Sequence, residues 1–101
     1  MIVVRDIFRL KFGQSKDAIA HWKEAVTIIR ESGYGGVAMR MLTDLVGAPY
    51  YTLIFETTYN SLADFEKALV AARDNAAWKA AYAKIIPLTE SGHREILSVI
   101  G

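Results

Sequence analysis

"YYTLIFETTYNSLADFEKAL", residues 50–69, changes its hydrophobic period part-way along. Residues 50–58 are nearly all β-favouring, which predicts a strand. Beyond Asn60 the pattern becomes helical. Ser61 offers a capping hydroxyl and Asp64 stands three residues on, as a capping box wants. Leu62, Phe65, Leu69 and Ala72 then recur on the expected core side. Upstream, residues 37–44 read as another strand. The turn Gly47-Ala48-Pro49 lies between the two, close enough for an antiparallel hairpin.

Residues 2–12 alternate strictly and predict the first strand. Ile2, Val4, Asp6, Phe8, Leu10 and Phe12 share one face, and Val3, Arg5, Ile7, Arg9 and Lys11 the other. Residues 15–31 carry the helical period, with Ala18, Ile19, Trp22, Ala25, Val26 and Ile29 on the apolar side and Ser15 as the expected N-cap. Gly33, Gly35 and Gly36 end that helix. Downstream, Asp74-Asn75 permits a break in the second helix, and Trp78, Ala81, Tyr82 and Ile85 continue its stripe until Pro87 stops it. Residues 93–100 predict the last strand. The order β-α-β-β-α-β over residues 1–101 is that of a single ferredoxin-like α+β domain, a four-stranded antiparallel sheet with its helices on one face.

At 101 residues there is room for one core. Lys plus Arg is 12 against 11 Asp plus Glu, a net charge of +1, which lacks the basic excess of an electrostatic nucleic-acid binder. Cysteine is absent, so disulfides, thiolate catalysis and cysteine-held metals are excluded. No apolar run approaches the roughly 18 residues of a membrane span. Residues 1–11 are charged too often for a signal peptide. A soluble, cytoplasmic protein is expected.

Hydrophobic residues make up 52% of this small chain, and small domains cover a limited share of their surface on folding. A further face is therefore expected to be buried against a partner. The helices cover one side of the sheet. On the other, Arg5, Ile7 and Arg9 should align with Ala38, Arg40 and Leu42 and with Thr52, Ile54 and Glu56. Apolar residues mixed with a few long charges suit a sheet-on-sheet contact, so a homodimer with its sheets face to face is expected.

Together with "AAWKAAYAKIIPLTESGHREIL", residues 76–97, the opening segment resembles NIPSNAP-like members of the dimeric α/β-barrel superfamily. The resemblance spans essentially the whole chain and rests on patterned positions, not on a catalytic signature. It implies a dimeric α/β barrel with a small-molecule pocket between sheet and helices. Similar folds serve cofactor-independent quinone-forming monooxygenases of the antibiotic-biosynthesis type, haem-degrading monooxygenases, chlorite dismutase-like proteins and muconolactone isomerases, so the fold does not set the chemistry. Haem-degrading relatives place an axial His shortly after a helix Trp. Trp78 is followed by no His before His93, which disfavours haem chemistry. Quinone-forming relatives use an Asn, a Trp, a Tyr and an Arg. The residue types available here are Asn75, Trp78, Tyr82 and Arg94.

Asp6 is the most informative residue. A carboxylate beneath the helices needs a partner, because unpartnered burial costs several kcal/mol. His21, at the edge of the first helix's apolar stripe, is one candidate. An Asp6–His21 pair would orient an imidazole for general acid–base catalysis. The plainer alternative pairs Asp6 with a backbone group or an Arg. Trp22, Tyr51, Trp78 and Tyr82 are candidates to line an aromatic pocket for a flat, quinone-like ligand, although core packing explains each singly. Arg40, with Arg5, Arg9 and Glu56, could bind an anionic substrate group or form a self-neutralising network across the dimer. With only His21 and His93, at no ligand-like spacing, neither a metal site nor a bound cofactor is expected.

Two functions stay open: a cofactor-independent monooxygenase or isomerase acting on an aromatic compound, and a non-catalytic ligand-binding or assembly homodimer. A polar-mouthed cavity of roughly 300 Å³ or more beside Asp6 and His21 favours the first, and a filled interior the second.

Overall fold

The alternation of residues 2–12 becomes strand β1 (Ile2–Leu10), and the amphipathic stretch after it becomes helix α1 (Ser15–Ser32). Strands β2 (Ala38–Thr43) and β3 (Thr52–Tyr59) follow. Then come helices α2 (Leu62–Asp74) and α3 (Ala76–Ile85), a 3-10 turn over Ile86–Leu88, and strand β4 (Thr89–Ser98). These elements belong to a computed structural model that describes all 101 residues, Met1–Gly101. The sheet order is β2-β3-β1-β4, with every neighbouring pair antiparallel, as the ferredoxin-like arrangement requires.

Register decides the faces, because residues directly opposite each other share a side of the sheet. Val4, Asp6 and Phe8 lie opposite Thr57, Phe55 and Leu53 of β3, and Met41 of β2 continues the row past Phe55. This side meets the helices. Trp22, Ala18, Ala25 and Val26 of α1 and Ala81 and Ile85 of α3 pack with Leu10, Leu53 and Phe55. A second cluster joins Val4 and Tyr59 to Phe65 and Ala68 of α2. Arg5, Ile7, Arg40, Leu42, Ile54 and Glu56 fall on the uncovered side, as the alternation predicts.

Helix ends follow local chemistry. The Asp64 N–H donates to Ser61 Oγ at 3.2 Å, capping α2 as expected. Asn75 ends α2 and starts α3, accepting at Oδ1 from the Trp78 N–H at 3.0 Å. Gly33 closes α1 with φ +80°, a left-handed conformation that favours glycine. At the start of α1, however, Ser15 is the first helical residue, and Gln14 holds the cap position without a side-chain bond.

Several boundaries differ from the sequence reading, each for a local reason. β1 stops at Leu10 because Lys11 donates to the Leu88 carbonyl and Gln14 closes a turn onto Lys11, leaving Phe12 exposed. β3 begins at Thr52 because Tyr51 turns with φ +63°. β4 begins at Thr89, four residues before the expected start. Its first residues, Thr89-Glu90-Ser91-Gly92, are polar and carry no alternation, yet an edge strand with exposed faces needs none. Leu62, expected on the core side of α2, stays half exposed in the first turn.

Candidate functional site

Strands β1 and β4 bring together two charges that lie 88 residues apart in sequence. Asp6 stands directly opposite Arg94, both on the helix-facing side. Arg94 Nε donates to Asp6 Oδ1 at 2.6 Å and Nη2 donates to Oδ2 at 3.4 Å. The guanidinium lies over the Phe65 ring of α2, 5.2 Å from its centroid. The buried-side carboxylate therefore has an arginine partner, and the Asp6–His21 pair anticipated as one possibility does not form. His21 is only half-buried. Successive helix residues diverge by about 100°, so seating Trp22 in the core turns His21 aside.

Two spaces adjoin the ion pair. A small hollow of about 70 Å³ is lined by Asp6, Phe55, Phe65, Asn75, Trp78 and Arg94, among others. That is room for a couple of water molecules. An open cleft of about 400 Å³ is lined by Asp6, Phe8, Tyr82, Ile85, Gly92 and Arg94, among others. Its size falls within the range of ligand sites, about 300–1,000 Å³. Asp6 and Arg94 border both spaces.

Two phenols flank the pair. Burial is the main cause that raises the Tyr59 pKa above its ordinary value, with the Asp6 charge adding to it and Thr57 and Arg94 opposing. Tyr82 is raised likewise, by burial first and by Asp6 second, against Arg94. Both hydroxyls thus keep their protons at neutral pH and are available as donors. The Tyr59 hydroxyl reaches the Tyr34 carbonyl at 3.5 Å. Asp6 engages Arg94 through Nε and Nη2, so Nη1 remains free to donate elsewhere. The cleft joins an apolar side of Phe8, Tyr82, Ile85 and Ile86 to a polar rim of Thr89, Glu90, Ser91 and His93, beside a guanidinium neutralised by Asp6 and a phenolic donor. Such a cleft can hold an aromatic ring with an acceptor oxygen at its edge.

The other expected site residues divide. Trp78 lines the hollow and Tyr82 the cleft. Trp22 lines neither. It fills the centre of the core, with ring centroids 5.2 Å from Phe8, 5.5 Å from Phe55, 6.3 Å from Trp78 and 6.1 Å from Tyr82. Its buried indole N–H has no hydrogen-bond acceptor. Edge-on to Tyr82 at 88°, the indole is enclosed by aromatic rings instead. Tyr51 packs on Phe12, 4.9 Å between centroids, away from both spaces. Arg40 lies on the uncovered side and pairs there with Glu56 at 3.2 Å, so it cannot share a pocket with Asp6. Arg5 reaches the same carboxylate at 3.4 Å, and these two guanidiniums cover Glu56 on an otherwise open face. No group of three or more His, Asp or Glu side chains is arranged to hold a metal ion.

Sequence reading missed Phe8, Tyr59, Phe65 and Gly92 as neighbours of the site. One available signal was the topology itself. In this fold the first and last strands pair, so an acid on the helix side of one calls for a base on the same side of the other.

The NIPSNAP family model matches residues 5–100. A NIPSNAP family protein from Agrobacterium tumefaciens shares 23% identity and superposes with a TM-score of 0.83, covering 96% of this chain and 90% of that one. An uncharacterized NIPSNAP domain protein from Burkholderia xenovorans shares 18% identity at TM-score 0.87, covering 99% and 95%. An antibiotic biosynthesis monooxygenase, 12% identical, superposes at TM-score 0.77 over the whole of both chains. At these identities the structural likenesses establish the fold alone. Among curated proteins nothing matches. No helix is long and apolar enough to cross a membrane.

Proposed function

This chain belongs to the NIPSNAP family, and from that premise we propose that it is a cytoplasmic homodimer whose protomers each bind a small aromatic, oxygen-bearing molecule beside Asp6 and Arg94. The bound molecule is the substrate of a cofactor-independent monooxygenase or isomerase reaction. One observation carries the reading: Asn75 and Trp78 at the hollow and Tyr82 at the cleft converge on a single Asp6–Arg94 pair bordering both. These are the residue types that the resemblance to quinone-forming monooxygenases implies. In their chemistry a phenol and O₂ give a quinone and water, the substrate itself supplying the electrons. Asp6 aims the guanidinium, and Arg94 and Tyr82 hold the oxygen on which negative charge would develop.

The dimer rests on the uncovered sheet face. Ile7, Leu42 and Ile54 lie there beside the Arg5–Glu56–Arg40 cluster, a mixture suited to a second copy. At the edge of the molecule the β2–β3 turn leaves Leu45 and Val46 more than 90% exposed, further apolar surface for a partner to cover.

A second reading, non-catalytic ligand binding or assembly, is favoured by the filled interior: the hollow between sheet and helices measures only about 70 Å³. Incubation of the purified chain with 1-naphthol under air, followed by chromatography for 1,4-naphthoquinone, separates the two. Product that is lost in Arg94→Gln supports the enzyme. Binding without turnover selects non-catalytic ligand binding, and no binding rejects the ligand site and leaves assembly alone.

A further inference from the structure

Gly92 sits in the interior of β4, where a glycine weakens a strand unless something approaches its backbone closely. That approach is made by Phe8, its partner on β1. A Cβ built at Gly92 would lie 2.7 Å from Phe8 Cδ1 and 3.0 Å from Cε1. The ring therefore occupies the space that any other residue at position 92 would claim. Its remaining sides are constrained. Trp22 packs on it at 5.2 Å, and the fully buried Leu53 lies opposite on β3. The side left open is the cleft, which both Phe8 and Gly92 line.

The position of this pair gives it meaning beyond packing. Asp6–Arg94 and Phe8–Gly92 are consecutive cross-strand pairs on the same face. They are separated by two residues along the strands, about 6.5 Å. A polar clamp is thus followed, one ring-width away, by an aromatic surface held low against the sheet.

We propose that Gly92 is the shape-determining residue of the cleft: by letting Phe8 lie against β4 it keeps room between Phe8 and Tyr82 for a planar, conjugated ring system whose acceptor oxygen reaches Arg94. The inference rests on the reading of this cleft as a ligand site and narrows its substrate class. A flat ring stacks on Phe8 with its full face. A saturated ring of the same carbon skeleton is puckered and has no π-face to offer. Any side chain at position 92 pushes the Phe8 edge away from the sheet, into the space that the ligand needs.

Two probes of matched skeleton test this on the full chain by isothermal titration, 1-naphthol and the saturated decahydro-1-naphthol. The wild-type protein is expected to bind 1-naphthol at least tenfold more tightly. Gly92→Ala should lose at least tenfold in 1-naphthol affinity, whereas adding Gly92→Ala to Phe8→Leu should cost little beyond Phe8→Leu alone, because the ring that the new Cβ would displace is gone. A folded Gly92→Ala that binds 1-naphthol like the wild type overturns the proposal while leaving the site intact. Equal binding of the two probes by the wild type does the same. Failure of the wild type to bind either probe overturns both the proposal and the site. Should Gly92→Ala not fold, Phe8→Leu decides. It removes the aromatic floor without touching the glycine and must abolish the preference for the flat probe, or the proposal falls.

Discussion

Arg94 grips Asp6 side-on across the β1–β4 ladder, with Nε 2.6 Å from Oδ1 and Nη2 3.4 Å from Oδ2. The Asp6 side chain is 18% exposed and that of Arg94 43%, so the pair is neither dry nor freely solvated. Such a pair is worth more than a surface ion pair and less than its bare Coulomb attraction suggests.

Removing either half should therefore destabilise the fold modestly. Asp6→Asn and Arg94→Gln are each expected to cost about 1–3 kcal/mol in urea unfolding, and the double substitution less than their sum, with a coupling of about 1 kcal/mol. Strict additivity would mean that the two side chains do not support each other.

Trp22 supplies a second test. It is 1% exposed and touches four aromatic rings. Trp22→Ala is expected to cost about 3–5 kcal/mol, a large share of a small domain's stability. A loss near zero would contradict its place at the centre of the core.

How far such features were legible beforehand differs by residue. Helical spacing put Trp22 on the buried side of its helix but could not separate a core ring from a pocket wall, whereas Asn75 was marked as a break by its residue type. The Arg5–Glu56–Arg40 face followed from alternation alone. The pairing of Asp6 was harder, because it depends on the register of two strands 88 residues apart, and local periodicity carries no information about register. The start of β4 was illegible for another reason. Thr89-Glu90-Ser91-Gly92 gains its extended form from pairing with β1 and not from its own propensity. Tyr51 was misplaced because its left-handed φ of +63° re-aims the side chain, a conformation that a tyrosine does not advertise.

The two phenols set an alkaline limit. Tyr59 and Tyr82 titrate above the ordinary value of 10.0 in the folded chain. Between pH 10 and their raised values the folded state retains protons that the unfolded state has released. Stability is therefore full below pH 10 and falls as pH rises past it. Urea unfolding across pH 9–11 should trace this loss, with a shallower slope in Tyr59→Phe and Tyr82→Phe. A stability that rises over that interval would contradict the assignment.

The uncovered sheet face makes its own demand. Ile54 lies at its centre, opposite Ile7 on one side and Leu42 on the other. Ile54→Asp places a charge in the proposed dimer contact and should convert a dimer to a folded monomer in sedimentation equilibrium at micromolar concentration. A wild-type chain that sediments as a monomer would remove the dimer from the account.

The ligand site proposed at Asp6 and Arg94 is open to direct test. Backbone amide NMR during a 1-naphthol titration tests it most directly. Shifts should concentrate at Asp6, Phe8, Tyr82, Gly92 and Arg94, and the saturable change should vanish in Arg94→Gln. Shifts clustered instead on the uncovered face around Arg40 and Ile54, or none at all at millimolar 1-naphthol, would contradict it.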